Sequence, residues 1–227
     1  MSRRAGEHRR APRAPEQRRA AGGGRPSAAG RRLVLASASP ARLRTLRAAG
    51  IEPEVRISEV DEDAVTAPDP AALVLALARA KAVRVIRPGD DALVLGCDSL
   101  LDLDGRPYGK PASGPEVLAR WERMAGRTGV LRTGHALLDV RGGIVAGEAA
   151  GVASTTVRFG SPTAAELAAY VASGEPLRVA GAFTLDGRSA PFIEGIDGDH
   201  GNVIGLSLPL LRRLLDDLDV RVHDLWA

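Results

Sequence analysis

Serine and arginine side chains that suit an anion lie together at the predicted start of a helix. The segment 37–42 follows a short apolar run, Ser39 is a suitable N-cap, and Pro40 suits the first helical turn. The N-terminus of a helix attracts anions, and Ser37 and Arg42 add donors that suit a phosphate. The segment lacks the glycine spacing of a P-loop. An ordinary Ser-capped helix is therefore the alternative interpretation.

Two groups of carboxylates are candidates for binding a metal or activating water. Asp61, Glu62 and Asp63 form an acidic cluster of the kind that binds hard cations, although such clusters are more often solvated loops. Asp98 follows an apolar strand predicted over 92–96 and is expected at its carboxyl end, where ligands gather in open α/β sheets. A turn formed by Asp98 and its neighbour is an equally good interpretation.

The chain contains 29 arginines but only two lysines, Lys81 and Lys110. A lysine retained in so arginine-rich a composition is a candidate for a tight site that needs its compact charge. Lys110 sits between Gly109 and Pro111, in a loop that can aim its ammonium at a phosphate. Lys81 is predicted on a helix among small residues, which leaves room for a ligand or another backbone. A solvated surface lysine is the alternative for each.

A third kind of segment suits a nucleobase. Residues 180–187 combine small residues with Phe183 and Asp186, which could hold a base by stacking and by edge hydrogen bonds. A turn between strands is the alternative, and 201–206 is predicted as a further glycine-punctuated turn. The four histidines have no metal-ligand spacing. Cys97 has no obvious histidine partner, so a small buried residue is expected there.

The elements that must position these residues alternate between helix and strand. Apolar runs predict strands over 33–36, 92–96, 130–140 and 144–159. Caps, prolines and glycines predict helices over 40–50, 70–87, 114–125, 162–173 and 207–218. The alternation predicts an α/β body with a mixed sheet.

Charge is divided unevenly along the chain. Residues 1–32 carry ten arginines against two glutamates, which leaves 21 basic and 26 acidic residues in the remainder. Residues 1–31 contain too few large apolar groups to fold and are predicted to be a disordered basic extension of a domain over 32–227. A nucleic-acid-binding arm is the alternative for this extension. The mildly acidic body disfavours nucleic-acid binding by the folded part.

Composition also excludes several classes of protein. No stretch approaches the roughly 18 consecutive apolar residues of a membrane helix, and the polar N-terminus lacks the apolar region of a secretory signal. A single cysteine excludes an internal disulfide and any multi-cysteine metal site. A reducing cytoplasm is the expected location.

Taken in order, these motifs resemble the Maf family of nucleoside triphosphate pyrophosphatases. The resemblance covers residues 33 to about 218, and it is specific because eight motifs occur in the order of the family. They are S-x-S-P-x-R at 37–42, D-E at 61–62, A-x-x-K-A at 78–82, G-x-D-[ST] at 96–99, G-K-P at 109–111, Y-V-x-x-G-E-P at 170–176, A-G-[AS]-[FY] at 180–183 and N-V-x-G-L at 202–206.

The resemblance implies an α/β fold of the Maf/inosine-triphosphatase type, in which two lobes share a mixed, elongated sheet flanked by helices and enclose a central cleft. The fold is often dimeric. It implies hydrolysis of a nucleoside triphosphate to the monophosphate and pyrophosphate, on non-standard nucleotides, with Mg²⁺ or Mn²⁺. By position, Asp98 is the catalytic carboxylate and, with Glu62, a metal ligand. The residues implied to bind substrate are Ser37, Ser39, Arg42, Lys81, Lys110 and Asp186.

Three positions depart from the branch of the family that acts on dTTP and UTP. That branch carries arginine, lysine and glutamine at the positions that correspond to Ala41, Val179 and Asp186. The acid at Asp186 resembles the branch that acts on 7-methyl-GTP. That branch, however, carries tryptophan at the position of Ala41, so the preferred nucleobase stays open. The family is also associated with arrest of cell division, and a non-catalytic septum protein is the alternative function. The retained Asp98 and Glu62 favour the enzyme.

Overall fold

Helices and strands alternate along the chain, as the sequence predicts. The computed structural model describes residues 31–227, so the predicted disordered extension at 1–31 lies outside the described residues except for Arg31. The strands are β1 (Leu33–Ala36), β2 (Glu54–Val55), β3 (Ala92–Leu103), β4 (Arg106–Tyr108), β5 (Thr128–Arg141), β6 (Ile144–Phe159) and β7 (Ile193–Asp197). The helices are α1 (Pro40–Ala48), α2 (Pro70–Arg84), α3 (Gly114–Met124), α4 (Ala164–Ala172), α5 (His200–Ile204) and α6 (Leu208–Asp217).

The strands of this part of the chain form one mixed sheet. Its order is β2-β1-β3-β5-β6-β7. β4 also pairs with β3, on the same edge as β1 but further along the strand. β1 runs parallel to β2 and β3, whereas β5 is antiparallel to β3 and β6, and β7 is antiparallel to β6. A mixed sheet flanked by helices confirms the predicted fold class.

A gap in the pairing of β3 separates two lobes. On one edge, β5 pairs with β3 continuously from Ala92 to Asp102. On the other edge, β1 reaches only as far as Gly96 and β4 begins only at Leu101. The four residues 97–100 therefore have no strand partner on that edge among the described residues. The resemblance implies a central cleft between two lobes, and this gap lies between the two lobes.

The predicted end of the second strand is wrong. The apolar run 92–96 suggested a strand that stops at Cys97 to Ser99, but β3 continues to Leu103. The reason is long-range, because β5 supplies hydrogen-bonding partners along the whole length of β3. Asp98 is thus a buried internal strand residue beside the gap left by the end of β1, not a residue of a turn.

The two lobes have different cores. The first lobe is packed from aliphatic side chains on both faces of the sheet, under α2 on one face and under α1 and α6 on the other. The second lobe holds every Phe, Tyr and Trp within residues 31–227 except Trp226. Trp121 on α3 stacks edge-to-face on Phe159 with 5.9 Å between ring centroids. Its Nε1 also donates to the carbonyl oxygen of Ala182 at 3.0 Å.

Local helix signals placed the five longer helices correctly, whereas the short helix α5 was predicted as a turn. Ser39 caps α1 and Asp69 caps α2, and a proline occupies the first turn of each. The predicted turn at 201–206 contains the short helix α5, which ends at Gly205 with a φ of 119°. None of the helices found in residues 31–227 has the length and apolar character needed to cross a bilayer.

Candidate active site

A close contact between α2 and the sheet brings a buried lysine to the central carboxylate. A Cβ on Gly96 would lie 2.0 Å from the carbonyl oxygen of Ala78, and a Cβ on Gly134 would lie 2.2 Å from another backbone oxygen of α2. The two glycines therefore let the helix backbone rest directly on β3 and β5. Lys81, one turn after Ala78, donates from Nζ to Oδ1 of Asp98 at 2.5 Å.

A second carboxylate shares the same ammonium. Oε1 of Glu62 lies 2.6 Å from Nζ of Lys81, so carboxylates from a loop and from β3 converge on one cation. The Glu62 side chain is 54% exposed, whereas the side chains of Lys81 and Asp98 are only 11% and 10% exposed. The neighbours Asp61 and Asp63 are exposed on the loop. Only one member of the acidic cluster thus reaches the buried pair.

Burial sets the proton affinity of the central carboxyl. Loss of solvent raises the pKa of Asp98 above its ordinary value, and the positive charges of Lys81 and Arg42 act in the opposite direction. The negative charge of Glu62 adds to the rise. A carboxylate is a more effective general base when its pKa lies closer to the working pH. Asp98 therefore combines a position at the gap in the pairing of β3 with an increased capacity to accept a proton.

Arg42 connects three elements beside this cluster. Its Nε donates to the carbonyl oxygen of Gly205 at 2.8 Å, its Nη1 donates to Oγ of Ser37 at 2.9 Å, and its Nη2 donates to Oγ of Ser99 at 3.0 Å. Oγ of Ser39 accepts from the backbone N–H of Arg42 and starts α1. A guanidinium has five N–H donors, so one remains on each terminal nitrogen for an anion.

Behind Arg42 lies a set of polar contacts that includes two buried threonines, Thr133 and Thr155, which sequence reasoning missed. Oγ of Ser99 lies 2.9 Å from Oγ1 of Thr133, which donates to the carbonyl oxygen of Asn202 at 3.1 Å. Nδ2 of Asn202 donates to Oγ1 of Thr155 at 2.9 Å. These contacts explain why an asparagine stands in the N-V-x-G-L motif, which sequence analysis left without chemistry. No local pattern marks Thr133, because the contacts join residues far apart in sequence.

Lys110 belongs to the opposite lobe and is not joined to the cluster around Asp98. Its side chain is exposed and makes no hydrogen bond or ion pair with any other residue in the range 31–227. The backbone beside it is fixed, because the carbonyl oxygen of Gly109 accepts from the backbone N–H of Gly181 at 3.1 Å and from Nη1 of Arg120 at 2.5 Å. Sequence reasoning missed Arg120.

Asp186 lies in a loop of the second lobe that is folded around a glutamate. Oε1 of Glu175 accepts from Oγ1 of Thr184 at 2.7 Å and from the backbone N–H of Arg188 at 2.8 Å. Oδ2 of Asp186 then lies 3.2 Å from Nη2 of Arg44 on α1. This exposed ion pair connects the loop to the first lobe.

The carboxylates have the chemistry that a divalent cation requires. Oxygens of Glu62 and Asp98 already converge on a positive charge, the ammonium of Lys81. Carboxylate oxygens are suitable ligands for Mg²⁺ and Mn²⁺. No cluster of three or more His, Cys, Asp or Glu within residues 31–227 could hold a metal alone. Two carboxylates fit Mg²⁺, which takes one or two of them and completes its shell with water and substrate phosphates.

Comparison with known proteins agrees with this geometry. The family model for Maf-like protein matches residues 32–218. A nucleoside triphosphate pyrophosphatase of Streptomyces coelicolor is 65% identical over 199 residues, which cover 87% of this chain and 95% of that protein. The protein of the same name from Streptomyces avermitilis is 63% identical with the same coverage. One from Mycobacterium sp. (strain JLS) is 55% identical over 86% of this chain and 98% of its own length. This chain therefore belongs to the Maf family.

Proposed function

We propose that this chain is a nucleoside triphosphate pyrophosphatase, a hydrolase that converts a nucleoside triphosphate to the monophosphate and pyrophosphate. One observation carries the proposal: a buried carboxylate, Asp98, stands at the unpaired edge of β3 beside the positive charges of Lys81 and Arg42. The relatives named above carry this activity in their names.

The reaction requires a base for water and positive charge for the leaving group. A water oxygen attacks the α-phosphorus and loses a proton to Asp98, while the bond from that phosphorus to the bridging oxygen breaks and pyrophosphate leaves. A carboxylate base contributes about 10²–10⁴-fold to such a reaction. The free N–H groups of Arg42 and the ammonium groups of Lys81 and Lys110 are proposed to stabilise the charge on the phosphates. Ser37 and Ser39 add hydroxyl groups to the same binding site.

A divalent cation is proposed as the cofactor, with Glu62 and Asp98 as its protein ligands. Mg²⁺ or Mn²⁺ would supply Lewis-acid stabilisation of the phosphate oxygens. Lys81 contacts both carboxylates, and its ammonium is proposed to balance part of their negative charge beside the phosphate site.

The nucleobase of the substrate is proposed to lie in the second lobe, near Asp186. A carboxylate accepts hydrogen bonds, so Asp186 suits a base edge that carries N–H donors. Non-standard or modified nucleotides are the proposed substrates. We further propose a homodimer in the cytoplasm, with no nucleic-acid binding by the folded body.

The proposal is tested by product analysis with one variant and one matched control. Purified protein is incubated with common, 5-methyl and 7-methyl nucleoside triphosphates and Mg²⁺ or Mn²⁺, and monophosphate and pyrophosphate are quantified. Equal amounts of both products are expected, with a loss of at least about 10²-fold in Asp98→Asn. Asp102→Asn, in the same strand but paired with Arg132, is expected to keep the activity. No hydrolysis of any triphosphate by folded protein would overturn the proposal.

A further inference from the structure

The loop that carries Lys110 is held by one buried arginine of α3. Nη1 of Arg120 donates to the carbonyl oxygen of Gly109 at 2.5 Å, and its Nη2 approaches the carbonyl oxygen of Lys110 at 3.5 Å. Its guanidinium also lies 5.3 Å from the ring centroid of Tyr108, a distance at which a cation–π contact forms. Three consecutive residues, 108–110, therefore contact the same guanidinium.

A carboxylate on α3 completes this clamp. Oε1 of Glu116 accepts from Nε of Arg120 at 3.1 Å and from its Nη2 at 2.5 Å, which fixes the plane of the guanidinium. Oε2 of Glu116 accepts from the backbone N–H of Ala112 at 2.7 Å. The Arg120–Glu116 pair thus holds the chain on both sides of Lys110.

Arg120 is more buried than an arginine that only stabilises the surface of a helix. Arg120 is 8% exposed, although arginine is seldom buried without a specific partner. Its side chain donates to main-chain oxygens of a loop and not to another helix. The Lys110 side chain, by contrast, is exposed and has no partner among residues 31–227. Arg120 therefore fixes the main chain at Lys110, whereas the lysine ammonium is free to contact a ligand.

We propose that Arg120 is a positioning residue that holds the Lys110 loop so that the lysine ammonium meets the triphosphate. Arg120 acts through Lys110 and does not itself touch substrate. Holding the backbone in advance reduces the ordering cost of binding. The inference rests on the proposed function for its substrate, because Lys110 is assigned there to the phosphates.

A double-mutant cycle tests whether Arg120 acts through Lys110. The wild-type protein, Arg120→Met, Lys110→Ala and the double variant are compared in kcat, KM and thermal unfolding. Each single variant is expected to lower kcat/KM about tenfold, mainly by raising KM. Lys110→Ala removes the charge-assisted contact with the phosphates, and Arg120→Met leaves the lysine in place but frees the loop that positions it. The double variant is expected to match Lys110→Ala, since the arginine has no lysine left to position.

A binding measurement keeps this test independent of turnover. The affinity of each variant for inorganic pyrophosphate is measured by calorimetry, and the same coupling is expected. Arg127→Met is the matched control, because Arg127 is an exposed arginine of the same lobe that pairs with Asp104. It is expected to change neither affinity nor KM.

The outcomes separate this inference from the proposed function. Wild-type protein that binds pyrophosphate but hydrolyses no triphosphate would overturn the function, while coupled losses of affinity would still support the role of Arg120. Losses that simply add in the double variant would show a general structural effect and overturn the inference. Unchanged affinity and KM in Arg120→Met, or no pyrophosphate binding by the wild type, would also overturn it.

Discussion

The two lysines of this chain stand on opposite sides of the cleft and are held in opposite ways. The Lys81 ammonium is buried and contacts two carboxylates, and its helix rests on glycines of the sheet. The Lys110 side chain is exposed and unpaired within the described residues, and only its backbone is fixed. Charge on the first side is therefore in place before substrate arrives. On the second side, the fold fixes the main chain at Lys110 and leaves the lysine side chain without a contact among the described residues.

This difference suits two tasks within one reaction. A base and its neighbouring cations must hold their geometry closely, because transition-state stabilisation depends on preorganised charge. Contacts with the remainder of a substrate tolerate more movement. Under the proposed function, we therefore expect catalysis on the side of Asp98 and substrate recognition on the side of Lys110 and Asp186.

The largest effect is expected on the buried side, from Lys81→Met. Removing the ammonium leaves Asp98 without its nearest positive charge, so the carboxyl pKa rises further. We expect kcat/KM at neutral pH to fall by at least about 10²-fold and the acid limb of its pH profile to move to higher pH. The measurement is kcat/KM from pH 5 to pH 9.

Arg79→Met is the matched control for this variant. Arg79 lies two residues earlier on α2 and pairs with Glu148 on the surface. It is expected to leave the pH profile unchanged. An acid limb that does not move in Lys81→Met would show that the lysine does not tune Asp98.

An intermediate effect is expected from a histidine that supports the buried side. Nε2 of His135 accepts from the backbone N–H of Ser207 at 2.9 Å, so its Nδ1 carries the proton and donates to the carbonyl oxygen of Thr133. Burial lowers the pKa of His135 from 6.5 to about 4. As the pH falls, the unfolded chain therefore binds this proton first. Stability is expected to decrease below about pH 6.5, by about 2 kcal/mol between pH 7 and pH 5.

Urea unfolding at these two pH values measures this effect. His135→Asn is expected to remove most of the difference between pH 7 and pH 5. His200→Asn, which replaces an exposed histidine, is expected to preserve it. Equal pH dependence in wild type and His135→Asn would contradict the assignment.

The smallest effect on stability is expected on the exposed side, from Asp186→Asn. Its ion pair with Arg44 is solvent-exposed, so its loss is expected to cost less than about 1 kcal/mol. The amide both donates and accepts hydrogen bonds, so preference among bases should change instead, by roughly tenfold between guanine- and uracil-bearing triphosphates. Competition assays with both substrates measure the ratio. An unchanged ratio would remove Asp186 from base recognition.

The parts of the fold that local sequence determines were predictable. Ser39 and Asp69 mark the starts of α1 and α2, because capping and proline preferences act within one turn. The strands β2 and β7 were missed, since each is short and exists through pairing with a strand distant in sequence. β4 was missed although only the Asp-Gly pair at 104–105 separates it from β3, and such a pair is a local signal for a hairpin turn. Long-range pairing also explains why the predicted end of β3 lies before Asp98, since pairing with β5 extends the strand to Leu103.

The site was predictable only in part, for the same physical reason. The motifs identified Lys81, Glu62 and Asp98, and the structure brings these three together. They did not indicate Arg120, because an arginine on an amphipathic helix is usually interpreted as a solvated residue. Its spacing of four residues from Glu116 was the one available signal, but it cannot reveal the loop that the pair holds.

The most direct test of the catalytic account follows the oxygen of the attacking water. The reaction is run in ¹⁸O-labelled water, and both products are analysed by mass spectrometry after a single turnover. Attack at the α-phosphorus beside Asp98 predicts one labelled oxygen in the nucleoside monophosphate and none in the pyrophosphate. Label in the pyrophosphate would place the attack at the β-phosphorus and contradict the account.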